Sequence, residues 1–250
     1  MPSFPRSILI TGANRGIGLG LVQQFLKHPE VERIFATARD VQNADALIAI
    51  NDPRLHILPL DVTCDKSIDN LVQDVENIVG DDGLNLLVNN AGVILKYNTH
   101  SEPSRNLLRE QFDVNTISVV ILSQKFLPLL KKANNSGEPF TISAAAIITI
   151  SSGFGSIGDN KSGSSAFNAL AYRMSKAAIN QFTKTIAIDL QEDGILSVAF
   201  CPGWTQSDLG GDKATFTIEQ STSIMLDSFS KLTKEHNGGY FKLALEKVPY

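Results

Sequence analysis

Residues Ile8-Leu9-Ile10-Thr11-Gly12-Ala13-Asn14-Arg15-Gly16-Ile17-Gly18 constrain the fold more than any other stretch of the chain. Three consecutive apolar residues make a short buried strand, and Thr11-Gly12 interrupts it. Apolar Leu19, Val22, Phe25 and Leu26 then recur at helical spacing. A strand, a glycine-rich turn and a helix N-terminus together form an anion site. The first N–H groups of the helix lack partners, and the dipole there favours negative charge. Glycines at 12, 16 and 18 let the backbone turn tightly and approach a phosphate without a Cβ in the way. The stretch therefore reads as a cradle for the diphosphate of a dinucleotide. An ordinary strand-to-helix turn with incidental glycines is the plainer alternative, and the stretch alone leaves both open.

Apolar strands and amphipathic helices alternate after it. Ile34 to Ala38 reads as the second strand, Val41 to Ile50 as a short helix and Leu55 to Leu60 as the third strand. Ile68, Leu71, Val72, Val75, Ile78 and Val79 mark a helix face that stops at Gly80. Leu84 to Val88 follows as strand four, a long helix is expected from about Arg105 to Lys132, and Ala145 to Ile150 is strand five. A helix from about Ala171 to Glu192 and a sixth strand, Leu196 to Phe200, complete the pattern. Short apolar strands joined by helices imply one doubly wound parallel sheet of the Rossmann type, α/β in class, with helices on both faces. Ligands of such sheets lie at the carboxyl ends of the strands. With no repeat or linker, residues 1–250 read as a single domain. Gly153 to Asn168, rich in Gly, Ser and Asn, reads as a mobile loop. It and the irregular stretch after Trp204, which leads to a helix announced by the capping box Thr217-x-x-Gln220, supply the expected pocket walls at about 153–171 and 204–233.

Composition narrows the partners. A net charge of −4 gives no case for nucleic acid or an anionic membrane, and no apolar run is long enough to span one. The expectation is a cytoplasmic protein with reduced Cys64 and Cys201 and no signal peptide. The four histidines are scattered away from both cysteines, so no metal site is expected.

Two side-chain patterns carry chemistry. Tyr172 and Lys176 are four residues apart and share a helix face. A neighbouring ammonium favours phenolate and lowers a tyrosine pKa, which makes the pair a usable general acid/base. Met174, Ala178, Phe182, Ile186 and Leu190 form an i+4 apolar row expected to be buried. Asn115 is the one polar residue in the stripe Leu108, Phe112, Asn115, Val119, Leu122, Phe126, Leu130. A buried amide must be hydrogen-bonded, so Asn115 either bridges to backbone or holds a water near Lys176.

The motifs Thr11-to-Gly18 (T-G-x-x-x-G-x-G), Asp61-Val62, Asn89-Asn90-Ala91-Gly92, Asn115, Ile150-Ser151-Ser152, Tyr172-x-x-x-Lys176 and Pro202-Gly203 occur in that order. In them the chain resembles the short-chain dehydrogenase/reductase family over nearly its whole length. Ala-Asn-Arg-Gly-Ile-Gly-Leu, Ala-Thr-Ala-Arg-Asp and Cys-Pro-Gly-Trp look most like carbonyl reductases of the Sniffer type. The resemblance implies catalysis by Asn115, Ser152 (with Ser151 as the alternative), Tyr172 and Lys176. Tyr172 would protonate a substrate carbonyl, Ser152 would hydrogen-bond the same oxygen, and Lys176 would bind the nicotinamide ribose and depress the Tyr172 pKa. It implies cofactor contacts from Gly12, Asn14, Arg15, Gly16, Ile17, Gly18, Arg39, Asp61, Val62, Asn89, Asn90, Ala91, Gly92, Tyr172, Lys176, Pro202 and Gly203. The loop between Ser152 and Tyr172 is longer than is commonest in the family.

The residue that reads the adenosine ribose lies about 20 positions beyond the glycine motif, at the end of strand two. That strand ends in Ala38-Arg39, with Asp40 one step beyond and expected to face solvent. Arg39 and Arg15 at this corner suit a 2′-phosphate, so the implied cofactor is NADP(H). The expectation is thus NADPH-dependent reduction of an aldehyde or ketone by a homo-oligomer, dimer or tetramer. The alternatives are a specific steroid- or retinoid-type alcohol dehydrogenase and a non-catalytic NADP-sensing regulator.

Overall fold

A computed structural model describes residues 4–134 and 139–250. Residues 1–3 and 135–138 of the expected domain lie outside the described residues. Seven parallel strands form one sheet, β1 (Ser7–Ile10), β2 (Arg33–Ala38), β3 (Leu55–Pro59), β4 (Leu86–Asn89), β5 (Ala146–Ile150), β6 (Leu196–Phe200) and β7 (Tyr240–Phe241). Their order is β3-β2-β1-β4-β5-β6-β7, so the chain reverses direction across the sheet between β1 and β4. Leu9 stands opposite Phe35 on one side and Leu87 on the other.

Strand alternation sorts the apolar residues to two faces. Ile8, Ile10, Leu86, Val88 and Ile148 point to one face, where they meet Val22 and Phe25 of α1 (Gly16–Phe25) and Met225 and Phe229 of α7 (Ile218–Phe229). Leu9, Phe35, Leu87 and Ile147 point to the other, toward Leu71 and Val75 of α3 (Asp65–Val79) and Leu122 and Phe126 of α5 (Ser118–Ala133). Both faces of the central strands are therefore buried, which explains their unalternated apolar sequences.

The long helix expected at 105–132 is not uniform. It consists of α4 (Arg105–Phe112), a π turn (Asp113–Ile117) and α5. The π turn contains Asn115. The expected helix 41–50 contracts to the single turn α2 (Asp45–Ile48), because the Asp40 carboxylate accepts the N–H groups of Gln42 and Asn43 and holds a turn there. The capping box at Thr217 and Gln220 is present as expected. α6 (Leu170–Asp189) follows the Gly/Ser-rich loop, which carries short 3₁₀ turns at Gly153–Gly155 and Ala166–Asn168.

One expectation about α6 fails. Met174 is 48% exposed, and Ala178 and Phe182 are only half-buried, whereas Ile186 and Leu190 are buried. An i+4 row advances about 40° round the helix at each step, so five members cannot share one face. The buried face holds Ala171, Ser175, Ile179 and Thr183 instead, with Ser175 accepting from Asn115 of the π turn.

Candidate active site

β1 is followed by Thr11, whose hydroxyl oxygen accepts the N–H groups of Asn90 and Ala91, both at 3.0 Å. This joins the two strand ends at the point where the sheet order reverses. Gly12 has φ +62°, and a Cβ there would stand 3.0 Å from the Cα of Ala91. Gly16, at φ +57°, opens α1, and no side chain caps the helix. The first N–H groups of α1 are thus left for a ligand, in a cleft of about 1460 Å³ at the carboxyl ends of the strands. Gly18 does not line this cleft. A Cβ on it would lie 2.5 Å from the Gly12 carbonyl oxygen, so it packs α1 against the turn.

Ser152, Tyr172 and Lys176 line the same cleft. Lys176 Nζ donates to the Ile150 carbonyl at 2.7 Å, which anchors α6 to the end of β5. It lies 5.6 Å from the centre of the Tyr172 ring. Ser151 is buried and donates to Asn180 Oδ1 at 2.6 Å, so its hydroxyl is engaged inside the protein. The Ser152 hydroxyl accepts the Phe154 N–H at 3.2 Å and sits beside the Tyr172 phenol. Of the two serines, Ser152 is the one whose hydroxyl stands at the Tyr172 phenol. The Tyr240 hydroxyl donates to the Ser152 carbonyl and fixes the backbone beneath it.

Burial pushes the Tyr172 phenol up to about 12, while the Ser152 hydroxyl pulls it the other way. Burial brings Lys176 down to about 8. The Tyr172 shift therefore runs opposite to the lowering expected from its spacing to Lys176, since loss of hydration around the phenol is its largest cause. Cys201, also buried in this cleft, accepts the Gly153 N–H, and burial raises its thiol pKa.

Asn115 is wholly buried and bridges rather than faces the cleft. Its Oδ1 accepts the Val93 N–H at 2.9 Å, and its Nδ2 donates to the Val93 carbonyl at 2.9 Å and to Ser175 Oγ at 3.2 Å. Both amide protons are engaged, which is the first of the two roles its sequence position left open.

At the far end of the cleft Arg39 is exposed and faces it, while Asp40 does not. The Asp40 carboxylate is turned back onto Asn43, and that hydrogen bond holds its pKa below the usual carboxylate range. Arg15 pairs with Asp208 at 3.0 Å with both side chains exposed. Asp61 also lines this end and accepts from the Thr63 N–H and hydroxyl.

The short chain dehydrogenase family model matches residues 6–216, which include the glycine turn, Asn115, Ser152, Tyr172 and Lys176. The chain belongs to this family. Among solved structures it is similar to Sniffer of Caenorhabditis elegans, described as a candidate carbonyl reductase, with 55% identity, TM-score 0.92 and coverage of 99% of this chain and 100% of that one. The carbonyl reductase Sniffer of D. melanogaster gives 37% identity and TM-score 0.93 over 98% of this chain and 100% of that one. An NADPH-bound carbonyl reductase from chicken fatty liver gives 41% and 0.93 over 99% and 95%.

Most of the residues expected from the short chain dehydrogenase motifs meet in one cleft. Gly12, Asn14, Arg15, Gly16, Ile17, Arg39, Asp61, Val62, Asn90, Ala91, Gly92, Ser152, Tyr172, Lys176, Pro202 and Gly203 all line it. Asn89 does not; it is buried and donates to Ser123 at 3.1 Å, tying β4 to α5. The sequence reading missed an aromatic series beside Tyr172. Phe154 stands edge-on to Tyr172 at 6.4 Å, Phe167 lies 5.9 Å from Phe154, and Trp204 lies 6.3 Å from Phe167. These rings come from both expected pocket walls, and only their placement on irregular segments rather than in a periodic element hid them.

Proposed function

We propose that this protein reduces an aldehyde or ketone to an alcohol with NADPH. The observation that carries the reading is the cleft itself, which is lined by both a glycine-built anion site and the Ser152–Tyr172–Lys176 group. The fit to a dinucleotide rests on the uncapped start of α1 and on Gly12, whose place a Cβ would fill. Arg39 at the end of β2, with no carboxylate facing the cleft from Asp40, suits a 2′-phosphate, and the NADPH-bound chicken relative is consistent with that choice. When bound, the reduced nicotinamide supplies the hydride. The protein's own groups handle the oxygen. Tyr172 keeps its proton through neutral pH and gives it to the carbonyl oxygen as negative charge develops there. Ser152 donates a hydrogen bond to the same atom. Lys176, held by Ile150, places positive charge beside the phenol and the site for the ribose.

Residues 1–250 act in this reading as one catalytic domain in a homo-oligomer. Half-exposed Ile117 and Met174, next to Asn115 and Tyr172, are apolar surface for a partner copy. Light scattering at micromolar protein tests the assembly, and a strict monomer contradicts it. The activity is tested by following nicotinamide absorbance with a panel of aldehydes, aryl ketones and quinones, each with NADPH and NADH. Oxidation of NADPH by some of these compounds is the expected result. Tight NADPH binding with no turnover on any of them would instead identify a cofactor sensor.

A further inference from the structure

A second cavity, of about 550 Å³, adjoins the cleft behind the Gly153–Gly155 turn. Its floor holds Arg173, the residue after Tyr172, with only 8% of its surface exposed. A buried guanidinium normally has a carboxylate beside it, because leaving such a charge unpaired is costly. Arg173 has none within 4.0 Å among the described residues. Nη2 donates to Ser162 Oγ at 2.7 Å, the guanidinium carbon lies 4.1 Å over the Phe154 ring, and Nε is buried without a hydrogen-bond partner. Burial lowers its pKa, in keeping with a cation lacking a counter-charge.

The segment that closes the cavity is held in place. Residues 246–250 fold back along β7, with Val248 N–H donating to the Tyr240 carbonyl, and reach the loop through Ser156 Oγ to the Pro249 carbonyl and Gly158 N–H to the Tyr250 carbonyl. They bring Lys247, Val248 and Pro249 to the cavity wall. Lys242 and Glu246 also line it and pair with each other at 2.7 Å, leaving Asp159 and Lys247 as the remaining charged groups beside Arg173.

We propose that this cavity is a binding site for a small organic monocarboxylate, with Arg173 as its charge partner. The planar guanidinium fork of Arg173 suits the two oxygens of a carboxylate. Three cations and two carboxylates line the cavity, so one negative charge neutralises it and a dianion would meet Asp159 and Glu246. Phe154, Val248 and Pro249 offer apolar contacts to the body of such a molecule. The site lies outside the reaction cleft, yet Gly153, Phe154 and Cys201 line both cavities. An occupant would therefore brace the turn that follows Ser152.

Calorimetric titration with benzoate, inorganic phosphate and benzyl alcohol tests the site, on protein carrying saturating NADP+. Neither Arg173 nor Lys247 lines the reaction cleft, so variants there separate the two cavities. Benzoate should bind one per chain, and benzyl alcohol and phosphate at least about tenfold more weakly. Arg173→Met should weaken benzoate about tenfold or more. Lys247→Glu, a change at an exposed rim position that leaves the buried packing alone, should weaken it several-fold. No benzoate binding at millimolar concentration, or binding that Lys247→Glu and Arg173→Met leave unchanged, would overturn the site. Phosphate binding as tightly as benzoate would overturn its assignment to a carboxylate.

Discussion

The Asn115 side chain donates to the Ser175 hydroxyl at 3.2 Å, and Ser175 Oγ in turn donates to the Tyr172 carbonyl at 2.8 Å. The π turn is thereby tied to the helix segment that presents Tyr172 and Lys176. The same amide closes two hydrogen bonds with the backbone of Val93.

Replacing Asn115 with Leu removes these bonds and leaves the Val93 N–H without its partner, while the Val93 carbonyl still accepts from Gln111 Nε2 at 2.8 Å. A buried group so orphaned costs about 1–3 kcal/mol. The expected outcome is a loss of roughly 1–3 kcal/mol in urea unfolding, with a fall in kcat larger than any rise in KM for NADPH. Unchanged stability would show that the bridge does not hold the two helices together.

Tyr172→Phe keeps the ring and its packing against Phe154 but removes the proton donor. Turnover should fall by several orders of magnitude while the Kd for NADPH, read by fluorescence titration, stays within about threefold. Turnover near that of the wild type would rule out Tyr172 as the acid.

Arg39→Asp should raise the KM for NADPH about tenfold or more, because a charge-assisted contact is lost and a like charge faces the phosphate. The ratio of kcat/KM for NADPH over NADH should narrow or reverse. An unaltered ratio would place the 2′-phosphate elsewhere.

Lys176 sets a pH dependence of stability. Burial holds its folded pKa at about 8, below the ordinary 10.5, so between these values the unfolded chain binds more protons. Stability from this group therefore rises with pH across that window. Measured without cofactor, the stability of the wild type relative to Lys176→Met should increase by up to roughly 3 kcal/mol from pH 8 to 10.5. A difference that stays flat or falls would contradict an ammonium buried at neutral pH. The Tyr172 phenol shifts the other way and acts only above about pH 10 in both proteins, so it cancels in the comparison.

Arg54 is a test of the scaffold alone. Its guanidinium donates to the carbonyls of Leu26, His28 and Val31, just past α1, and pairs with Asp52 at 2.7 Å. Arg54→Met should cost roughly 2–3 kcal/mol in urea unfolding. Arg54→Lys should recover only part of it, since an ammonium cannot reproduce the fork.

Strands and motifs were legible in the sequence because each is local. Ile8 to Gly18 is read without the rest of the chain, and buried parallel strands have a plain apolar signature. β7 escaped because two residues carry no periodicity. The π turn escaped because Phe112, Asn115 and Val119 fit an ordinary helical stripe equally well. That the Ser151 hydroxyl is turned inward depends on Asn180, which is adjacent only in space. The withdrawal of Asn89 from the cleft depends likewise on Ser123. Arg173 looks like a solvated helix residue until the loop lays Phe154 and Ser162 over it.

A π turn holds one residue more than the α turn it replaces. The stretch Asp113–Ile117 can therefore lose a residue and still close as unbroken helix, with every backbone partner satisfied. In such a shortened chain Asn115 would rotate away from Val93 and Ser175. In an alignment of relatives, gaps inside buried helices are ordinarily absent. A single-position gap between 113 and 117 would thus mark chains that kept the scaffold and gave up the bridge beside Tyr172.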